Sequence, residues 1–154
     1  MSREIQAKDL MQSNVISVTP DSTLAEARDL FVRHRIGGSP VVDEEGNLLG
    51  VVSLTDIARV AMAKDTDDFP DNAYFVGGPS LYSGELGSVT EQLDERVVEE
   101  AMTTDVYTVA PEDRISILAV TMRHHRIHRL IVVEGKRVVG IVTAFDLIQV
   151  LENH

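Results

Sequence analysis

Gly50-Val51-Val52-Ser53-Leu54-Thr55-Asp56 returns in the second half of the chain as Gly140-Ile141-Val142-Thr143-Ala144-Phe145-Asp146. Each copy runs from a short β-branched stretch into a helix-patterned one. The likeness extends upstream, where Met11, Pro20, His34-Arg35-Ile36 and Val41-Val42 answer to Met102, Pro111, His125-Arg126-Ile127 and Val132-Val133. Spacing is constant up to the paired valines. One residue is then dropped in the turn, where Asp43-Glu44-Glu45-Gly46-Asn47 becomes Glu134-Gly135-Lys136-Arg137. A repeat of this length means one supersecondary unit used twice, each copy needing a neighbour to cover its apolar face. Function is expected where the copies meet.

Working outward, each copy reads as strand, helix, strand, strand, helix. Val15 to Thr19 is β-branched and stops at Pro20, which cannot donate to a ladder. Thr23 to Glu26 forms a capping box, and Leu24, Ala27 and Phe31 then recur at helical spacing, with Gly37-Gly38 as the expected stop. Pro40 to Val42 and Leu48 to Val52 flank a turn containing Gly46 and Asn47, which predicts a hairpin. From Thr55 to Ala63 the apolar residues mark one helical face. The second copy gives a strand over Val106 to Val109, a helix over Ile115 to His125, a hairpin from Leu130 to Val133 with Val138 to Val142, and a helix over Phe145 to Leu151. Ala7 to Met11 and Val97 to Met102 read as short helices leading into each copy. The organisation expected is repeat 1 over 7–63, an acidic irregular linker over 64–96 and repeat 2 over 97–152. The loop from Asp65 to Ser88 holds Phe69, Tyr74, Phe75 and Tyr82, four of the seven aromatics in the chain, so part of it is expected to dock.

With 154 residues, 44% of them hydrophobic, the chain has enough material for one core of ordinary size. It has no Cys, which excludes disulfides, thiolate metal sites and cysteine nucleophiles. The N-terminus lacks an apolar signal core, and no apolar run reaches the roughly 18 residues of a membrane span. A soluble cytoplasmic protein is the expectation. A net charge of -11 disfavours nonspecific nucleic-acid binding. The cations are nevertheless gathered twice, at Arg33-His34-Arg35 and at Arg123-His124-His125-Arg126-Ile127-His128-Arg129. Two such clusters suit either a small anion taken twice or ordinary cations at helix C-termini.

In each Gly-x-x-[Ser/Thr]-x-x-Asp stretch, free backbone N–H groups at a helix start favour a polar or anionic ligand. The hydroxyl can donate to a phosphate or sugar oxygen, and the carboxylate can accept from both hydroxyls of a ribose diol. The same residues also spell a plain capping box. Both copies keep Asp where Glu or Gln would cap better, and both follow a cation cluster, the minimum needed for a nucleotide.

In combination, the Met-Gln or Met-Thr leads, the Val-x-x-x-x-Pro strand, the His-Arg-Ile that runs into Val-Val and the paired Gly-x-x-[Ser/Thr]-x-x-Asp give a family resemblance. The chain resembles a tandem pair of CBS (cystathionine-β-synthase) domains, a stand-alone Bateman module. The resemblance implies an α+β fold of two β-α-β-β-α repeats packed sheet to sheet in a pseudo-two-fold arrangement, with two clefts. Those clefts would hold AMP, ADP, ATP or S-adenosylmethionine as a regulatory ligand. It further implies that Asp56 and Asp146 take ribose hydroxyls with Ser53 and Thr143 beside them. Ile16 and Tyr107 would line the adenine slot through their main chains, flanked by Pro40 and Ile131. Arg126, His128 and Arg129 would face phosphate, with His34 and Arg35 as weaker counterparts. Where repeat 2 has His128-Arg129, repeat 1 has Gly37-Gly38, so the two sites should be unequal.

No Gly-x-x-x-x-Gly-Lys-[Ser/Thr] loop, Gly-x-Ser-x-Gly elbow or dinucleotide fingerprint occurs, so no enzyme and no catalytic residues are expected. Metal ligation by His124, His125 and His128 is not expected, because neighbouring helix positions point apart and no carboxylates join them. The alternative function is a dimerisation scaffold that binds no ligand. By resemblance the chain should form a homodimer through its helices, with Ile57 to Met62 and Leu147 to Leu151 as the candidate seam, and should act on a separate protein.

Overall fold

Thr23 opens the first long helix by accepting a hydrogen bond on its hydroxyl from the Glu26 N–H at 3.0 Å, which satisfies one of the free N–H groups of the first turn. The structure is a computed structural model and describes residues 4–62, 72–76 and 90–153. In chain order its elements are α1 (Ala7–Leu10), α2 (Leu24–His34), β1 (Gly38–Val42), β2 (Leu48–Ser53), α3 (Leu54–Met62), α4 (Ala73–Val76), α5 (Thr90–Glu95), α6 (Val98–Ala101), β3 (Thr108–Val109), α7 (Ile115–His125), β4 (Arg129–Glu134), β5 (Arg137–Thr143) and α8 (Ala144–Glu152). They fall into two units, one of Ile16–Val106 and one that joins Met1–Val15 to Tyr107–His154.

In the Ile16–Val106 unit, β1 and β2 form an antiparallel hairpin whose turn glycine, Gly46, has φ 86°. The expected Val15–Thr19 strand shrinks to one bridging residue, Val18, whose N–H donates to the Pro40 carbonyl at 3.1 Å while its carbonyl accepts from Val42 N–H at 2.9 Å. The next rung would need an N–H from Pro40, and proline has none. In the other unit Ile131 stands where Pro40 does, and its N–H donates to the Tyr107 carbonyl at 3.2 Å. There β3 forms and runs parallel to β4, giving a three-stranded sheet in the order β3-β4-β5.

Neither long helix waits for a glycine to stop it. Arg35 and Arg126 take the left-handed conformation at φ 56° and close α2 and α7, and the next residues, Ile36 and Ile127, donate their N–H groups to Phe31 and Met122 at 2.9 and 3.0 Å. The lead-in segments are exchanged. α6 stands ahead of repeat 2 in sequence but docks on repeat 1, with Val98 N–H on Ser22 O at 2.8 Å and Thr103 paired with Val51 in both directions at 2.8 and 2.9 Å. α1 does the reverse, with Ala7 N–H on Asp113 O at 2.8 Å and Gln12 paired with Ile141 at 2.9 and 3.0 Å. The two motif glycines allow this, since the crossing segments lie directly over Gly50 and Gly140.

The core of the Ile16–Val106 unit gathers Leu24, Phe31, Val41, Val52 and Ile57 with Ala58, Ala61 and Leu93. Within the segment expected as an irregular loop, α4 is helical, and its Tyr74 and Phe75 are buried with their rings edge to face at 5.0 Å. α4 packs on β2 and α3, and α5, just beyond that segment, packs on α2 and α3. Phe69 and Tyr82 lie outside the described residues.

Candidate functional site

In repeat 1 the Ser53–Asp56 pair closes on itself. Asp56 Oδ2 accepts from the Ser53 N–H and hydroxyl, both at 2.9 Å, and the Asp56 N–H donates to Ser53 Oγ at 3.1 Å. The other carboxylate oxygen, Oδ1, accepts from Arg59 Nη1 at 2.9 Å one helical turn later. Asp56 is only 1% exposed. Burial pushes its carboxyl above the ordinary value of 3.8, opposed by the hydrogen bonds from Ser53 and by Arg59. Both oxygens of this carboxylate are engaged, Oδ2 twice and Oδ1 once.

In repeat 2 the same box forms at the start of α8. Asp146 Oδ2 accepts from the Thr143 N–H at 2.8 Å and its hydroxyl at 3.1 Å, and Asp146 N–H returns to Thr143 Oγ1 at 3.3 Å. The position equivalent to Arg59 is Gln149, which is exposed. Among the described residues nothing bonds Asp146 Oδ1, and Asp146 itself is half-buried. A charged acceptor with one oxygen held and the other open can take a hydroxyl pair from outside the chain.

A second difference lies across each hairpin. Arg129 is the register partner of Thr143, whereas Gly38 is the partner of Ser53. A β-carbon at Gly38 would stand 2.6 Å from the Val52 carbonyl oxygen and 3.1 Å from the Tyr74 ring. Repeat 2 therefore carries an arginine in register with its motif, and repeat 1 has an aromatic ring of α4 packed where such a side chain would start.

The remaining predicted residues divide by repeat. Ile16 is half-buried, Pro40 is buried, and the Pro40 carbonyl accepts from Val18. Tyr107 is half-buried, its ring lies 4.8 Å from that of His125, and its carbonyl is engaged by buried Ile131. His34 and Arg35 are exposed at the end of α2. Arg126 and His128 line an open groove of about 550 Å³ with Ala119, Met122, Leu147 and Ile148. Thr143, Asp146 and Arg129 are not among its walls, so the cations of this cluster serve two surfaces. Among the described residues no three His, Asp or Glu side chains converge as metal ligands, and no helix is long and apolar enough to cross a membrane.

The CBS domain model matches the chain twice, over residues 7–63 and 98–153. The chain belongs to the CBS domain family. The CBS pair is 27% identical over 145 residues to Uncharacterized protein MJ1225 of Methanocaldococcus jannaschii, covering 94% of this chain and 42% of that protein, less than half its length. Among solved structures, the CBS domain of a CBS domain containing membrane protein from Sphaerobacter thermophilus superposes with TM-score 0.72 at 30% identity, covering 96% of this chain and 88% of the other. The CBS domain pair of protein MJ0100 in complex with 5′-methylthioadenosine and S-adenosyl-L-methionine matches with TM-score 0.68 at 25% identity, covering 98% of each chain.

In both CBS repeats the motif pair forms the cap that its spacing spells. Arg59 and Tyr74, which distinguish the repeats most, were not among the residues expected at the site. Arg59 was legible as a cation three positions after Asp56 on a helix, the spacing of an i,i+3 pair. Tyr74 had no signal beyond its being an aromatic in an acidic segment.

Proposed function

We propose that this CBS pair is a regulatory module that takes an adenosyl ligand through its second repeat and passes the binding on to a separate protein. The observation that carries the reading is Asp146, whose Oδ2 is fixed by Thr143 while Oδ1 stays open, with Arg129 in register across the hairpin from Thr143. The ribose diol of the ligand would bond Oδ1, with Tyr107 and Ile131 lining the base. Arg129 would meet a phosphate or other polar tail. The MJ0100 complex supports the ligand class, since that protein holds two nucleosides that share an adenosine diol. The absence of Cys and the acidic composition fit a reducing cytoplasm.

The module is proposed to act as a homodimer joined through α7 and α8. Phe145, Ile148 and Leu151 lie at i, i+3 and i+6 on α8 and are 79%, 48% and 74% exposed. Their counterparts on α3 are Thr55, Ala58 and Ala61, small residues buried where α4 and α5 pack. Of the two seams expected from sequence, α3 is thus occupied within its own unit. A second copy is the natural cover for the α8 stripe, and the open groove at its edge adds Leu147 to the seam.

A thermal-shift series with AMP, ATP and S-adenosylmethionine tests the reading. A ligand at about 100 times its dissociation constant should stabilise by roughly 2.7 kcal/mol. Asp146→Ala should lower unliganded stability by about 1 kcal/mol, the usual loss of a cap. It should weaken binding by roughly 1.5–3 kcal/mol, about 10- to 150-fold, the range for a hydrogen bond to a charged group. Melting curves that no adenosyl compound moves would leave the scaffold function standing instead.

A further inference from the structure

Resting on the adenosyl reading above, we infer that Arg59 is the residue that shuts repeat 1 to a diol ligand, so that the chain takes one ligand and not two. Asp56 is held in the same capping geometry as Asp146, but it is buried and its second oxygen is taken. Its Oδ2 is fixed by the Ser53 N–H and hydroxyl, as Asp146 Oδ2 is by Thr143. Its Oδ1, the oxygen left open in repeat 2, is held by Arg59 Nη1 at 2.9 Å. Arg59 sits three residues on along α3, its side chain 16% exposed, while Gln149 at the matching place on α8 is exposed and makes no such contact among the described residues. A guanidinium hydrogen bond to a buried carboxylate is charge-assisted on both sides. A neutral hydroxyl offers less, so it does not displace the guanidinium. The exchange of arginine for glutamine thereby decides whether the second oxygen of each motif carboxylate is taken from within its own helix.

The swap can be made in both directions. Isothermal titration with 5′-methylthioadenosine as the probe avoids any need for a phosphate-binding cation, which repeat 1 lacks at Gly38. Wild type should bind one equivalent per chain, Gln149→Arg should weaken that binding at least tenfold, and Arg59→Gln should bind two equivalents. Position 149 is exposed, so the first variant stays folded even if loss of the Arg59 ion pair unfolds the second; circular dichroism monitors both. Two equivalents in wild type, unchanged binding by Gln149→Arg, or a folded Arg59→Gln variant that still binds one, each overturns the role of Arg59 and leaves the adenosyl reading intact. If wild type binds none and folded Arg59→Gln binds one, the adenosyl reading of repeat 2 falls and the closure by Arg59 stands. No binding by either removes both.

Discussion

Gly50→Ala tests the exchanged lead-in segment where its backbone crosses the motif glycine. An added β-carbon would lie 2.6 Å from the Thr103 carbonyl oxygen, 3.3 Å from Met102 Sδ and 3.4 Å from the Thr103 carbonyl carbon. The obstacle is backbone, and that backbone is tied to Val51 by two hydrogen bonds of 2.8 and 2.9 Å. Relief therefore means moving Thr103 away and stretching that pair. Overpacking of this kind costs about 1–3 kcal/mol, and weakening two backbone bonds adds roughly 1 kcal/mol. The alanine's lower unfolded-state entropy returns about 0.4–1 kcal/mol. A net loss of about 1–3.6 kcal/mol is expected, or roughly 2–14 °C in melting temperature for a chain of this size. Gly140→Ala is the comparison, because there Met11 Sδ and Cγ can turn aside and only Met11 Cβ, at 2.9 Å, is a fixed obstacle. Urea and thermal unfolding of both variants should place Gly140→Ala between wild type and Gly50→Ala. Equal stability of Gly50→Ala and wild type, or a larger loss for Gly140→Ala, would refute the account of how these segments cross.

Two further outcomes follow from the same geometry. Sedimentation should find wild type as a dimer and a Phe145→Asp, Leu151→Asp variant as a folded monomer, since both positions are exposed; a monomeric wild type would refute the seam. For pH, Asp56 binds its proton more tightly in the folded state because burial raises its value. Its contribution is thus fully present below the unfolded value of 3.8 and is lost as pH rises through the raised folded value. The stability difference between wild type and Asp56→Asn should therefore fall as pH is raised from about 3. Asp43 and Glu100, held below their ordinary values mainly by backbone hydrogen bonds from Asn47 and Val97, act in the opposite direction but are common to both proteins. A difference that grows with pH would show that Arg59 outweighs burial at this site.

What could be read from sequence were features fixed by neighbours along the chain. Thr23 and Glu26, Ser53 and Asp56, and Thr143 and Asp146 are three residues apart, and the capping contact needs nothing more distant. The hairpins follow from β-branched runs around a glycine turn, and the duplication announces two units of one kind. The family, the repeat plan and the motif residues were legible for that reason. What the chain alone did not disclose depends on what stands opposite each residue in space. The third strand forms in one unit because Ile131 has an N–H to give and fails in the other because Pro40 has none, and only the register places those two residues against Tyr107 and Val18. The exchange of α1 and α6, the burial of Thr55, Ala58 and Ala61, and the packing of Tyr74 over Gly38 rest on contacts between segments far apart in sequence. Sequence showed two carboxylates in identical motifs, with an arginine one turn beyond the first; packing decided that Asp56 is buried while Asp146 is left half-buried.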